Sequence, residues 1–349
     1  MIRVLVAEDS AVTREYLVYL LQQDPTLKVV GTARDGMDAV EQAEQLRPDI
    51  ILMDVHMPRL NGFEATRLIM ERVPTPIVIV SASFSRDDEA LTFEALGAGA
   101  LTMVGKPLGP GQPGQAASAE KIVETVRLMA EVKVVRRWPR RPRSLAPAGP
   151  MAPPERGVRI VAIGASTGGP AAVFEILEGL PGDLPFPVLV VQHIARGFTE
   201  GLVEWFAQGT RLAVKLARAD EPAVPGTVFV APEGFQMGIT RLGRIRLARE
   251  PGEDDFCPSA GHLFDSVAEA YGPAAIGVLL TGMGRDGATG LLRLRETGAV
   301  TIAQDEESSV VFGMPGEAVR IGAAQHVLPP DRIAEMVRSL AKAPRRGSP

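Results

Sequence analysis

Cysteine is nearly absent: Cys257 is the single one in 349 residues. No disulfide can close within the chain, which points to a reducing compartment. Histidine is scarce too, with only four, so any imidazole chemistry has few places to reside. No apolar run approaches the ~18 residues needed to span a bilayer. The chain begins Met1-Ile-Arg-Val-Leu-Val-Ala-Glu-Asp and meets acid too early for a secretory signal. These absences lead to the expectation of a cytoplasmic protein with no membrane insertion. An excess of positive charge is missing as well. The net charge is −5, so nothing global favours a nucleic-acid partner. An orderly Gly-x-Gly-x-x-Gly is also missing, which argues against a nucleotide-binding module. What is present is a folded, soluble composition, 46% apolar and 23% charged, on a chain long enough for two domains.

One stretch organises the rest. Residues 158–164 form a β-branched apolar run that enters Gly164-Ala-Ser166-Thr-Gly168, and a helical pattern follows over 171–180. A strand passing through a tight Gly-x-Ser-x-Gly turn into a helix has the form of a nucleophile elbow. The turn lifts the serine hydroxyl above the sheet edge, and the helix N-terminus behind it offers N–H groups to developing negative charge. The same turn could cradle a phosphate, with the serine only capping the helix.

The N-terminal part alternates strand patterns (3–7, 28–33, 50–53, 77–80, 101–104) with amphipathic ones (11–22, 36–46, 62–72, 87–96, 119–132). Five such units predict a doubly wound parallel sheet, whose ligands bind beyond the carboxyl ends of the strands. The residues at those ends are Glu8 and Asp9, Asp54, Ser81 and Lys106. Each acid alone could be a helix cap. Three carboxylates in one crevice repel unless a cation sits among them, and an all-oxygen set suits Mg²⁺. One carboxylate could then accept a phosphoryl group, with a lysine and a hydroxyl opposite to hold its oxygens.

Residues 134–157 carry six arginines, six prolines and one acid. Such a stretch cannot bury enough apolar surface to fold alone and reads as a solvated linker. A basic patch for nucleic acid is the rival reading, weakened because Trp138 is its only aromatic.

Beyond it, strands are expected at 158–164, 187–192, 212–216, 227–231, 275–281 and 299–303, with a hairpin over 237–240 and 244–248. Helices are expected at 171–180, 200–208, 261–271, 287–296, 316–321 and 331–341, the last capped by Asp331. Of the four histidines, His193 alone closes a buried-type strand, on the edge expected for Ser166. It is the candidate base. A third group should orient the imidazole. Asp286, in the turn Thr281-Gly-Met-Gly-Arg-Asp-Gly, is preferred and Asp305 is the alternative. That turn also offers backbone N–H groups, notably at Met283, for an oxyanion.

Two resemblances follow from these motifs. Residues 2–107 resemble a two-component receiver domain, with Glu8 and Asp9 as the acidic pair, Asp54 as phosphoacceptor, Ser81 as switch hydroxyl and Lys106 as the family lysine. Glu8 stands where Asp is commoner, and Met103 where many receivers carry an aromatic. The resemblance implies Mg²⁺ held by Glu8, Asp9, Asp54 and the backbone carbonyl of His56. The second half resembles the catalytic domain of the chemotaxis protein-glutamate methylesterases, the CheB family. The resemblance rests on Gly164-Ala-Ser-Thr-Gly-Gly, Gln192-His193, Pro258-Ser259, the 281–288 turn and residues 303–315. Gln236 stands where that family often has His, Gly261-His262 replaces a more usual Asp-Val, and Gly316 replaces a frequent Arg.

Together they imply two doubly wound α/β domains: a flavodoxin-like receiver over 2–133 and a Rossmann-like methylesterase domain over 158–345, joined by the 134–157 linker. They imply Ser166 as nucleophile, His193 as general base and acid, Asp286 as orienter, and the N–H groups of Thr167 and Met283 as oxyanion hole. The implied substrates are glutamate methyl esters, and specific glutamines, on chemoreceptor helices. The implied phosphodonor is a chemotaxis histidine kinase. No cofactor is expected for the esterase step. The unphosphorylated receiver is expected to block the catalytic edge, and phosphorylation to loosen that block.

Overall fold

Short β-branched runs become strands because both faces of a parallel sheet are covered and favour such residues throughout. In the first half of the chain these are β1 (Ile2–Ala7), β2 (Leu27–Ala33), β3 (Ile50–Asp54), β4 (Ile77–Ser81) and β5 (Thr102–Gly105). They pair in parallel in the order β2-β1-β3-β4-β5, and every residue of β3 and β4 is buried. The order reverses between β1 and β3, so a crevice opens beyond their carboxyl ends. Helices Ala11–Gln22, Gly36–Leu46, Gly62–Arg72 and Gln115–Ala130 accompany the sheet. The helix from Gly62 begins at a reciprocal cap in which Asn61 takes the Glu64 N–H and Glu64 takes the Asn61 N–H.

The computed structural model describes residues 1–81, 93–109, 111–112, 114–132, 134, 157–195, 197–249 and 257–342. The chain divides into two units, Met1–Ala146 and Pro147–Pro349. Most of the linker expected at 134–157 lies outside the described residues, as does the first part of the helix expected at 87–96; residues 93–98 are helical. The helix expected over 119–132 starts at Gln115 instead. Its added first turn, Gln-Ala-Ala-Ser, includes alanines that favour a helix, and Gly114 at φ 85° makes the left-handed entry.

The second unit contains β6 (Ile160–Ala165), β7 (Val188–Gln192), β8 (Ala213–Leu216), β9 (Thr227–Val230), the hairpin β10 (Gln236–Ile239) and β11 (Ile245–Ala248), β12 (Ala275–Leu279), β13 (Val300–Gln304) and β14 (His326–Leu328). All but the hairpin form one parallel sheet, ordered β14-β13-β12-β6-β7-β9-β8. The chain leaves β6 toward β7 and later returns to β12 on its other side. The switch point therefore lies between β6 and β12. Helices Gly169–Glu178, Thr199–Gly209, Ala260–Tyr271, Ala288–Glu296, Met314–Arg320 and Pro330–Lys342 accompany it. Phe229, Leu263, Phe264, Leu279 and Leu291 lie in the buried core.

Differences from the sequence reading sit at element ends. Asp331 is not the cap of the last helix but lies in its first turn, because Pro330 already has the φ a helix start requires. The strand expected to reach Thr281 stops at Leu279. The three-residue edge strand β14 was not anticipated.

Candidate functional site

The elbow forms at the switch point. Ala165, the last residue of β6, pairs with Gln192, the last of β7. The next residues on the two strands are Ser166 and His193, so both leave the sheet at one rim. The His193 N–H donates to Ala165 O at 2.9 Å. The buried Gln192 carboxamide donates to the carbonyls of both Ser166 (2.7 Å) and His193 (2.9 Å). On the other side, the Ser166 N–H donates to Thr281 O at 3.0 Å, and the Thr281 hydroxyl reaches Thr167 O at 2.9 Å. The elbow is thus fastened to both neighbouring strand ends. Gly168, at φ 76°, supplies the left-handed step into the helix.

Asp286 reaches the same rim. Its Oδ2 lies 3.0 Å from His193 Nε2. It also accepts the Ser259 hydroxyl at 2.8 Å and the N–H groups of Ala260 (2.7 Å) and Gly261 (3.1 Å), at the start of helix Ala260–Tyr271. Burial alone would push this carboxyl up. The bonds from His193, Ser259 and Ala260 outweigh it and hold the group below the usual carboxylate range. Asp305, the alternative acid, instead binds the Ser308 N–H and hydroxyl. Thr167 directly follows Ser166, and Met283 follows Gly282, where an added Cβ would fall 2.6 Å from the Ser166 Cβ. Among the described residues, the N–H groups of Thr167 and Met283 donate to no protein acceptor. Both remain available to an oxyanion. A cavity of about 310 Å³ between the hairpin and helix Ala260–Tyr271 includes none of Ser166, His193 and Asp286 in its lining.

In the first unit, Glu8, Asp9 and Asp54 bring carboxylate oxygens within 4.8 Å of one another. Lys106 Nζ lies 2.9 Å from Glu8 and 3.0 Å from Asp54. Ser81 is buried at the end of β4, paired with Gly105 one residue before Lys106. The His56 N–H donates to the Asp54 carboxylate. Burial, then the Asp54 charge, raises the Glu8 carboxyl to about 7 against the pull of Lys106. Burial raises Asp54 too, with Asp9 adding to it. The Lys106 ammonium is also raised, because Asp54 and Glu8 outweigh its own burial. Glu8, Asp54 and Lys106 all shift toward holding protons: burial raises the two acids first, and a surplus of neighbouring negative charge adds to the rise in all three. A hard divalent cation fits that surplus and the all-oxygen donor set.

Of the residues expected from sequence, Ser166, His193 and Asp286 converge on one rim with Thr167 and Met283, and Glu8, Asp9, Asp54, Ser81 and Lys106 on the other. Ser259, Gln192 and Thr281 were missed as site residues. All three stand inside the motifs named above, and burial of a polar side chain is what singles them out.

The model of the CheB methylesterase family matches residues 161–337, and that of the response regulator receiver domain matches residues 4–117. A Geobacter metallireducens protein named protein-glutamate methylesterase/protein-glutamine glutaminase 4 is 51% identical over 98% of this chain and 99% of its own. A Nitrosospira multiformis protein-glutamate methylesterase/protein-glutamine glutaminase is 50% identical over 97% of each chain. The crystal structure of the Thermotoga maritima CheB methylesterase catalytic domain is 38% identical, with a TM-score of 0.51, over 52% of this chain and 98% of its own. This chain belongs to the CheB family of protein-glutamate methylesterases/protein-glutamine glutaminases. No described helix is long and apolar enough to cross a membrane.

Proposed function

We propose that Ser166 is the nucleophile that hydrolyses glutamate γ-methyl esters on the cytoplasmic helices of chemoreceptors, with His193 as base and Asp286 as orienter. The observation that carries this reading is the 3.0 Å contact between His193 Nε2 and Asp286 Oδ2, on a residue that follows the strand partner of Ala165. With Asp286 facing Nε2, the proton exchanged with Ser166 passes through Nδ1. Ser166 Oγ attacks the ester carbonyl as Nδ1 takes its proton, a transfer worth roughly 10²–10⁴ in rate. The Thr167 and Met283 N–H groups receive the oxyanion. Collapse breaks the C–O bond, and methanol leaves with the proton from His193. Water, deprotonated by the same nitrogen, then releases the glutamate carboxylate and regenerates Ser166. A glutamine side chain follows the same course with ammonia as leaving group.

In the first unit, Asp54 accepts a phosphoryl group from the phosphohistidine of a chemotaxis kinase, and the P–N bond breaks as the P–O bond forms. Glu8, Asp9, Asp54 and the His56 carbonyl would hold Mg²⁺, which when bound offsets the charge of the phosphoryl oxygens. Lys106 and Ser81 bind those oxygens. Phosphorylation then biases the receiver between two states, and the esterase follows. The units proposed are a receiver over 2–133 and a methylesterase domain over 158–345, with 134–157 as linker.

A serine-directed phosphonylating reagent tests the assignment. Methanol release should fall in proportion to phosphonyl groups found on Ser166 by mass spectrometry. Inhibition with Ser166 unmodified, or a modified Ser166 with full turnover, would overturn it.

A further inference from the structure

Asp286 is almost fully buried, and both of its oxygens are engaged. Oδ1 takes the Ser259 hydroxyl at 2.8 Å and the Gly261 N–H at 3.1 Å. Oδ2 takes the Ala260 N–H at 2.7 Å and faces His193 Nε2 at 3.0 Å. An ionised carboxylate offers about four lone-pair sites; three take hydrogen bonds, and His193 Nε2 stands 3.0 Å from Oδ2. Ser259 is itself completely buried. Its N–H donates to Gln236 Oε1 at 2.7 Å, and its oxygen accepts the His262 N–H at 3.2 Å. With that lone pair given to the helix and an acceptor-only carboxylate on its other side, the hydroxyl hydrogen points to Asp286.

We propose that Ser259 is a positioning residue for the ester hydrolysis. Its hydroxyl, set in place by Gln236, locks the Asp286 carboxylate so that Oδ2 faces His193. This inference rests on the assignment of Ser166, His193 and Asp286 made above. Donors from Ser259, Ala260 and Gly261 stabilise the ionised carboxylate, so the imidazole proton stays on Nε2 and Nδ1 keeps its lone pair for Ser166. Removing the Ser259 donor leaves Oδ1 with Gly261 alone. The carboxylate plane can then turn, and the imidazole turns with it. A displacement of about 1 Å at a reacting group can cost ~10²-fold in rate, and a few tenths of that correspondingly less. Gln236 acts one step further out, through the backbone of Ser259. Neither residue touches substrate.

The test is a double-mutant cycle in the full-length protein, read by methanol release from a methylated receptor fragment, with a thermal melt for each variant. Ser259→Gly removes the hydroxyl and leaves a residue that helix N-caps tolerate well. It should lower kcat about tenfold with KM within about twofold of the parent. Ser259→Thr, which keeps the donor, should recover kcat to within about twofold. Ser259→Cys, of similar shape but a weak donor, should lose kcat as Ser259→Gly does and serves if the glycine variant does not fold. In an Asp286→Ala background, Ser259→Gly should cost nothing further, because its only route to the chemistry is gone. Unchanged kcat in both Ser259→Gly and Ser259→Cys would overturn the proposal. So would losses that multiply in the Asp286→Ala background, since that pattern marks a purely structural role. Full activity of Asp286→Ala by itself would remove the triad assignment on which the proposal rests.

Discussion

In the first unit the sheet reverses between β1 and β3, and the crevice there gathers Glu8, Asp9, Asp54 and Lys106. In the second it reverses between β12 and β6, and that crevice gathers Ser166, His193 and Asp286. Each rim depends on a buried aspartate, and the two aspartates shift in opposite directions. Burial raises Asp54, and Lys106 and the His56 N–H do not offset it while Glu8 and Asp9 stand alongside. Asp286 is buried as well, yet its bonds hold it down. The donor count decides the sign. One rim is short of positive charge and is completed by what binds to it. The other already holds its carboxylate with several donors, which suits the catalytic role proposed for it. On the roles proposed above, a regulatory switch and a catalytic centre use one topology with opposite electrostatic balance.

The comparison breaks most visibly if the two chemistries prove inseparable. His193→Gln should cut methanol release about 10⁴-fold while phosphoryl incorporation at Asp54 is unchanged by radiolabel counting. Chelating Mg²⁺ should do the reverse: phosphoryl incorporation falls to background, while basal methanol release stays within about twofold. Loss of both activities in either experiment would merge two sites that the account keeps apart.

Gly282→Ala sharpens the second half of the comparison. The new Cβ would meet the Ser166 Cβ at 2.6 Å and also the Met314 sulfur. Displacing the nucleophile should lower kcat by roughly 10²-fold, with far less effect on the melting temperature. A normal kcat would show that the rim tolerates movement that a firmly held site should not.

Glu8→Gln probes the unbalanced rim, through stability and not through rate. The folded-state pKa of Glu8, about 7, lies above its ordinary 4.5. The folded state is therefore stabilised by the protonated form, fully below about 4.5, and loses that stability as pH rises through about 7. Replacing the acid should stabilise the metal-free receiver at pH 8 by up to ~3 kcal/mol, with no gain at pH 4, by denaturant melts. A larger gain from Glu8→Gln at pH 4 than at pH 8 would contradict the sign.

Much of this was legible in the sequence. The strands announce themselves as apolar β-branched runs, and the polar residues that end them name both rims. Asp286 was preferred over Asp305 on its glycine-rich turn alone, since both follow strands. The structure separates them because Asp305 is bound within its own turn, to Ser308, whereas Asp286 reaches the start of a helix and His193. Ser259 was hidden because its partners lie 23 and 27 residues away, and no local pattern encodes such a contact. β14 was missed because three residues at a sheet edge show no periodicity. The helix start at Gln115 was missed because a Gly- and Pro-rich loop runs directly into it.

The central claim is that the rim at β6 and β12 makes Ser166 a nucleophile, and methanol release by folded Ser166→Ala protein on a methylated receptor fragment tests it most directly. The account predicts release no faster than the uncatalysed background, with an unchanged melting temperature and normal phosphorylation of Asp54. Methanol release at a substantial fraction of the parent rate would contradict it.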